Sequence, residues 1–212
     1  MDIIVTRTSA LITDADVVPV LAAINHQIVW DFAPKWQASG TLYLNSGPTG
    51  AAHCSLQDTI DDPDALGYHV DENGLVEMII DVEACQSSGD DWRTCLGHEA
   101  LETLVDSLCN LMGLGAYTSF IREVCDAVEE DFYPGLGGVP VTNFVLPSYF
   151  GIGPVGPPWD MMGRLSGPAP ALRPGGYIDE LVGGAWTTHL GDRADGYMAT
   201  RKNGRRAWGK RP

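Results

Sequence analysis

The chain has 212 residues, 44% of them hydrophobic, which is enough for one domain of ordinary size with a real core. No apolar run reaches about 18 residues, so no membrane-spanning helix is expected, and "MDIIVTRTSALITDAD" lacks the charged and apolar regions of a secretory signal. Residues 1–192 carry six Lys and Arg against 27 Asp and Glu, and residues 193–212 carry seven against one. So acidic a body repels nucleic acid, while the basic tail "TRKNGRRAWGKRP" is able to meet phosphate or an acidic neighbour, including another copy of the chain.

In chain order, Ile3–Thr6 reads as a short strand. A helix follows with Val17, Leu21, Ile24 and Ile28 in one stripe of a 3.6-residue period. Asp16 is its expected N-cap, ahead of Thr13, because Pro19 then falls in the first turn, where a missing N–H does no harm. Thr41–Asn45 and, more weakly, His53–Thr59 read as strands. "LGYHVDENGLVEMIIDVE" predicts a hairpin about Asn73-Gly74, the pair that a type I′ turn favours. Its second strand, Val76–Val82, alternates apolar and acidic residues, as an edge strand with one wet face does.

Five cysteines (Cys54, Cys85, Cys95, Cys109 and Cys125) are odd in number and form no CxxC pair. That pattern favours reduced, mostly buried thiols over a disulfide frame or a Cys-ligated zinc. Composition changes near Tyr133: from Pro134 to Pro212, Gly and Pro supply 26 of 79 residues, too many for long helices or central strands. Trp159, Tyr177, Trp186, Tyr197 and Trp208 argue against pure disorder there. The organisation expected is a core over residues 1–133 and an extended Gly/Pro-rich arm over 134–212 that becomes ordered on a partner.

The chemistry concentrates in "TCLGHEALETLVDSLCN", Thr94–Asn110. At about 100° per residue from His98, Glu102 lies at about 40°, Asp106 at about 80° and Glu99 at about 100°, beside a core stripe of Leu101, Leu104, Val105 and Leu108. A surface helix would interleave Lys or Arg to relieve such like-charge crowding, yet none occurs between Thr94 and Ile121. His98 and Glu102, one turn apart, can hold one cation from the same face, with Glu99 in the place of a general base. A third ligand must come from elsewhere, and "REVCDAVEED" offers Glu123 and Asp126.

"GHEALETLVD" followed by "REVCDAVE" resembles zincin-like proteins of the HExxE type, of an uncharacterised kind associated with tailed-phage and bacterial genomes. The resemblance spans about residues 67–150. It implies an α+β fold with a mixed sheet, an antiparallel edge strand and an HExxE helix. It also implies metal ligands at His98, Glu102 and Asp126, Glu99 as the base, and Glu123 behind Asp126 or in its place. Ser107 departs from the pattern where a proline commonly follows Asp106, and no third histidine is spaced to complete the set. "WDMMG", Trp159–Gly163, resembles the methionine turn beneath a zincin metal, although packing is the commoner use of such residues.

One histidine and two carboxylates leave a Zn²⁺ site near zero net charge, so bound water is acidified less than by three neutral ligands, and Ca²⁺ or Mn²⁺ competes better. Two functions follow as expectations. One is a zincin-type metallopeptidase that cuts peptides laid along Val76–Val82. The other is a structural component of a phage particle, assembled in the host cytoplasm, whose metal is a staple and whose arm joins it to other subunits or to itself. A plain cytoplasmic setting is the alternative.

Overall fold

The computed structural model describes residues 1–62, 65–72 and 74–192. Asn73 of the expected turn and the basic tail from Arg193, with Tyr197 and Trp208, lie outside them. The architecture is mixed α+β. Its main sheet has the order β2 (Leu42–Leu44), β1 (Ile3–Arg7), β3 (Ala52–Gln57), β5 (Leu75–Asp81), β4 (Gly67–Glu72). All neighbours run parallel except β4, which pairs antiparallel with β5. The strand at that edge is therefore β4, and β5 lies inside, between β3 and β4. Strand β5 also stops at Asp81, earlier than the alternation suggests. The Asp81 carboxylate accepts the Ala84 N–H (2.7 Å) and opens helix α3, Val82–Ser88.

Alternation along the strands sets one face. Ile3, Val5, Cys54, Leu56, Met78 and Ile80 are buried, while Ile4, Ser55, Glu77 and Ile79 between them are half-buried. Against the buried face lies α1 (Asp14–Gln27), whose Val17, Leu21 and Ile24 are buried, with Ile28 following in a π turn, Ile28–Phe32, and then α2, Ala33–Trp36. Helix α1 begins at Thr13, a turn before the expected Asp16. The Asp16 carboxylate accepts both the Thr13 N–H (2.8 Å) and its hydroxyl (2.6 Å), which anchors the earlier start. Pro19 then lies inside the helix, one turn after Ala15, whose carbonyl it cannot pair for want of an N–H but which is exposed to solvent.

Helix α4 runs Trp92–Asp106 from an Asp91 N-cap whose carboxylate accepts the Arg93 N–H (2.9 Å). From Leu96 to Thr103 it is buried on every side. The expected core stripe holds at Leu101, but Leu104 and Val105 are half-buried and Leu108 is 43% exposed, because the helix ends before it.

The Gly/Pro-rich stretch differs most from expectation. Over residues 134–192 it folds back on its own chain rather than lying extended. Phe144, Val145, Tyr149, Phe150, Trp159, Leu165 and Ile178 belong to the same hydrophobic core as Ile3 and Phe32, with Phe144 set edge-on to Phe32 at 5.0 Å. Asp131 clasps it through Arg164 (2.7 Å) and Arg173 (2.8 Å). Short strands β6 (Phe132–Pro134) and β7 (Pro140–Thr142) pair with each other, and β8 (Tyr177–Val182) pairs with β9 (Ala185–Leu190). Gly183 and Gly184, both at positive φ, make the β8–β9 turn; this Gly-Gly pair between two runs was the available hairpin signal. In "WDMMG", Met161 packs against the core and its N–H reaches the Phe144 carbonyl (2.9 Å), which is a packing role.

Candidate metal centre

Helix α4 supplies His98, Glu99, Glu102 and Asp106, all at most 8% exposed. The segment after it, residues 119–128, supplies Glu123 and Asp126 and is fixed on three sides. Ile121 N–H donates to Asp179 O (3.1 Å), Leu181 N–H to Ser119 O (2.7 Å), and Val145 N–H to Val124 O (2.7 Å). Gly176 closes on it so tightly that a Cβ there would stand 2.4 Å from the Ala127 carbonyl oxygen. Residues of the supposed arm thus hold the loop that carries two of the proposed ligands.

His98 and Glu102 share one face of the helix, as their spacing suggests, and the loop brings Asp126 to them. One nitrogen, His98 Nε2, stands 3.2 Å from Glu102 Oε2 and 3.2 Å from Asp126 Oδ1. One ligand atom from each of the three lies within 4.8 Å of the others. Two zinc ligands at bond lengths of about 2.0–2.1 Å in a tetrahedron are about 3.3 Å apart, so the donor set fits such an ion in kind and spacing. The other Glu102 oxygen, Oε1, accepts the Cys125 N–H (3.0 Å) and so ties helix to loop.

Burial works against charge on His98, but the carboxylates of Glu102 and Asp126 outweigh it and hold the imidazole well above the usual histidine range. Burial, then the Asp126 charge, raise Glu102, and His98 opposes them. A proton on Nε2 would therefore compete with a cation for the same point.

Glu99 and Glu123 do not join this trio directly. Glu99 Oε2 lies 3.0 Å from His69 Nδ1 on β4, and His69, Glu99 and Glu102 form a second close group. Glu123 groups with His69 and Cys109. Asp106, the trailing acid of the helix, has a structural task. Its carboxylate accepts the N–H groups of Asn110 (3.0 Å) and Leu111 (2.6 Å) and shapes the turn beyond the helix. Sequence reading missed His69. Counting the hairpin register from Gly74 puts His69 opposite Met78, on the buried face, and that was the signal for it. Gly67, on the same strand, lies tight against β5, where a Cβ would stand 2.8 Å from Ile80 Cδ1 and 3.1 Å from the Ile79 carbonyl oxygen.

No protein-family model, curated protein or solved structure matches this chain. Among the described residues no helix is long and apolar enough to cross a membrane.

Proposed function

We propose that the protein is a zincin-like metal-binding protein that holds one divalent cation, zinc ahead of calcium or manganese, between His98, Glu102 and Asp126. The observation that carries this reading is the convergence of three buried donors from two separate elements on His98 Nε2. Two carboxylates and a neutral imidazole balance a divalent charge, which suits a site from which water is largely excluded. A bound cation would supply Lewis-acid polarisation of a carbonyl group. Glu99, in the next position of the motif, is the base in the peptidase form of this reading, and a peptide is its substrate. The setting proposed, a phage particle whose other subunits are the partners, rests on the resemblance of "GHEALETLVD" and "REVCDAVE" alone.

A second reading, in which the cation is only a staple, is favoured by burial: Glu102 is 3% and Asp126 2% exposed. Elemental analysis of protein purified without added metal tests the shared claim. Zinc that is lost in both His98→Ala and Asp126→Ala supports the centre, and no metal, or metal undiminished by either change, refutes it. Cleavage of a denatured protein that disappears in Glu99→Gln with metal retained would select the peptidase. Its absence across a broad peptide library would select the staple.

A further inference from the structure

Beside the His98 trio stands a second group of donors that this reading does not use. His69 on β4, Cys109 in the turn after α4, and Glu123 in the following segment each present one ligand atom within 4.8 Å of the others, and their exposures are 7%, 6% and 5%. They come from three different stretches of chain, so neither helical periodicity nor a run of acids accounts for the meeting.

The turn that delivers Cys109 is specified in detail. Asp106 closes it from both ends: its carboxylate takes the Asn110 and Leu111 N–H groups, and its carbonyl takes the Cys109 N–H (3.0 Å). Cys109 itself has φ of 50°, a left-handed conformation that is unfavourable for a non-glycine residue and persists only where the surroundings enforce it. Asn110, the residue type that tolerates this conformation best after glycine, is next in the chain, yet the strain falls on the cysteine.

His69 is oriented as metal-binding histidines are. Its Nδ1 faces Glu99 Oε2 at 3.0 Å, the carboxylate partner that fixes the ring and leaves the other nitrogen to a metal. That other nitrogen, Nε2, is hydrogen-bonded to the Asp106 carbonyl at 3.3 Å, and the Cys109 thiol donates to the His69 carbonyl (3.7 Å), contacts that a bound ion would replace. The side chains therefore offer an imidazole nitrogen, a thiol and a carboxylate on one buried point.

We infer that His69, Cys109 and Glu123 form a second divalent-metal site, distinct from the His98 trio and specific for a zinc-class ion. Sulfur with imidazole selects zinc over calcium or manganese, whereas the oxygen-rich His98 site does not discriminate so strongly. On binding, the Cys109 thiol gives its proton to solvent, and thiolate plus carboxylate neutralise the divalent charge. Glu99 then lies between two metal sites: one step along the helix from His98, and hydrogen-bonded to a ligand of the second ion. The inference goes beyond the His98 centre and does not depend on it.

Cobalt(II) added to the metal-free full-length chain tests it, because cobalt bound to thiolate gives an intense near-ultraviolet charge-transfer band that nitrogen and oxygen ligands do not. Wild type should bind two equivalents and develop the band. Cys109→Ser should lose the band and one equivalent, and His98→Ala should keep the band while losing the other equivalent. No band at saturating cobalt, or a band that survives Cys109→Ser, overturns the second site. A band that persists in a protein with no His98-dependent metal would sink the first centre and leave the second standing. Should Cys109→Ser fail to fold, X-ray absorption at the zinc edge of wild-type protein decides: a sulfur neighbour at about 2.3 Å supports the site, and a shell of nitrogen and oxygen alone refutes it.

Discussion

Stripping divalent metal with a strong chelator should lower the melting temperature by about 8–16 °C. Without the cation, the carboxylates of Glu102 and Asp126 share one imidazole at 3% and 2% exposure, and a buried like-charge pair is relieved only by taking up protons. With it, the site is near neutral. A ligand held at about 1,000 times its Kd adds about 4 kcal/mol, and for a domain of this size each kcal/mol moves the midpoint by about 2–4 °C. Differential scanning calorimetry of native and chelated protein measures the shift, and His98→Ala, which lacks the His98 contribution, should show a smaller one. An unchanged melting temperature in wild type, or an equal shift in wild type and His98→Ala, would refute the reasoning.

Other predictions test the packing and the electrostatics. Phe144→Ala should cost about 3–5 kcal/mol in chemical denaturation while unfolding stays a single transition; a loss below about 1 kcal/mol would mean that the Gly/Pro-rich stretch is not part of the core. Asp131→Asn, which weakens the clasp to the half-exposed Arg164 and Arg173, should cost about 1–2 kcal/mol after allowance for solvent screening, read from the same denaturation curves. Trypsin should spare Arg164 and Arg173 in dilute native protein, and rapid cleavage at either would restore the extended-arm reading. Because Glu102 and Asp126 hold His98 well above the usual histidine range, a cation must displace a proton that the ring holds more tightly than a free imidazole does. Calorimetry in buffers of different ionisation heat should show protons released on zinc binding, and affinity should fall as pH falls. The charged-ring contribution to metal-free stability is complete below about pH 6.5 and fades as pH rises through the raised value. Binding without proton release would contradict the arrangement.

The legible parts of the fold were local. The stripe Val17, Leu21, Ile24 and Ile28 announced α1, and the i, i+4 spacing of His98 and Glu102 put both on one face because a helix repeats every 3.6 residues. Asp126 lies in a loop reached after a further 20-odd residues, and no periodicity brings it to them; its place beside His98 depends on the fold. What the sequence concealed depends on non-local pairing. The edge of the sheet passed from β5 to β4 because β3 pairs with the far side of β5, and nothing in the alternation of Val76–Val82 reveals a parallel neighbour. Glu99 was placed by its angle on the helix, but its partner His69 comes from another strand, 30 residues away. The Gly/Pro composition of residues 134–192 correctly ruled out long helices. It did not rule out burial, since Phe144, Tyr149, Phe150 and Trp159 find their partners on the N-terminal half. Aromatic content carried more information there than glycine and proline did.

Anomalous diffraction at the zinc absorption edge, from crystals of protein never exposed to chelator, tests the central claim most directly. The expected result is a peak bounded by His98 Nε2, Glu102 Oε2 and Asp126 Oδ1, with the two carboxylates turned from the imidazole proton toward the ion. Crystals grown with zinc present that show these three side chains still hydrogen-bonded to one another, and no peak between them, would contradict it.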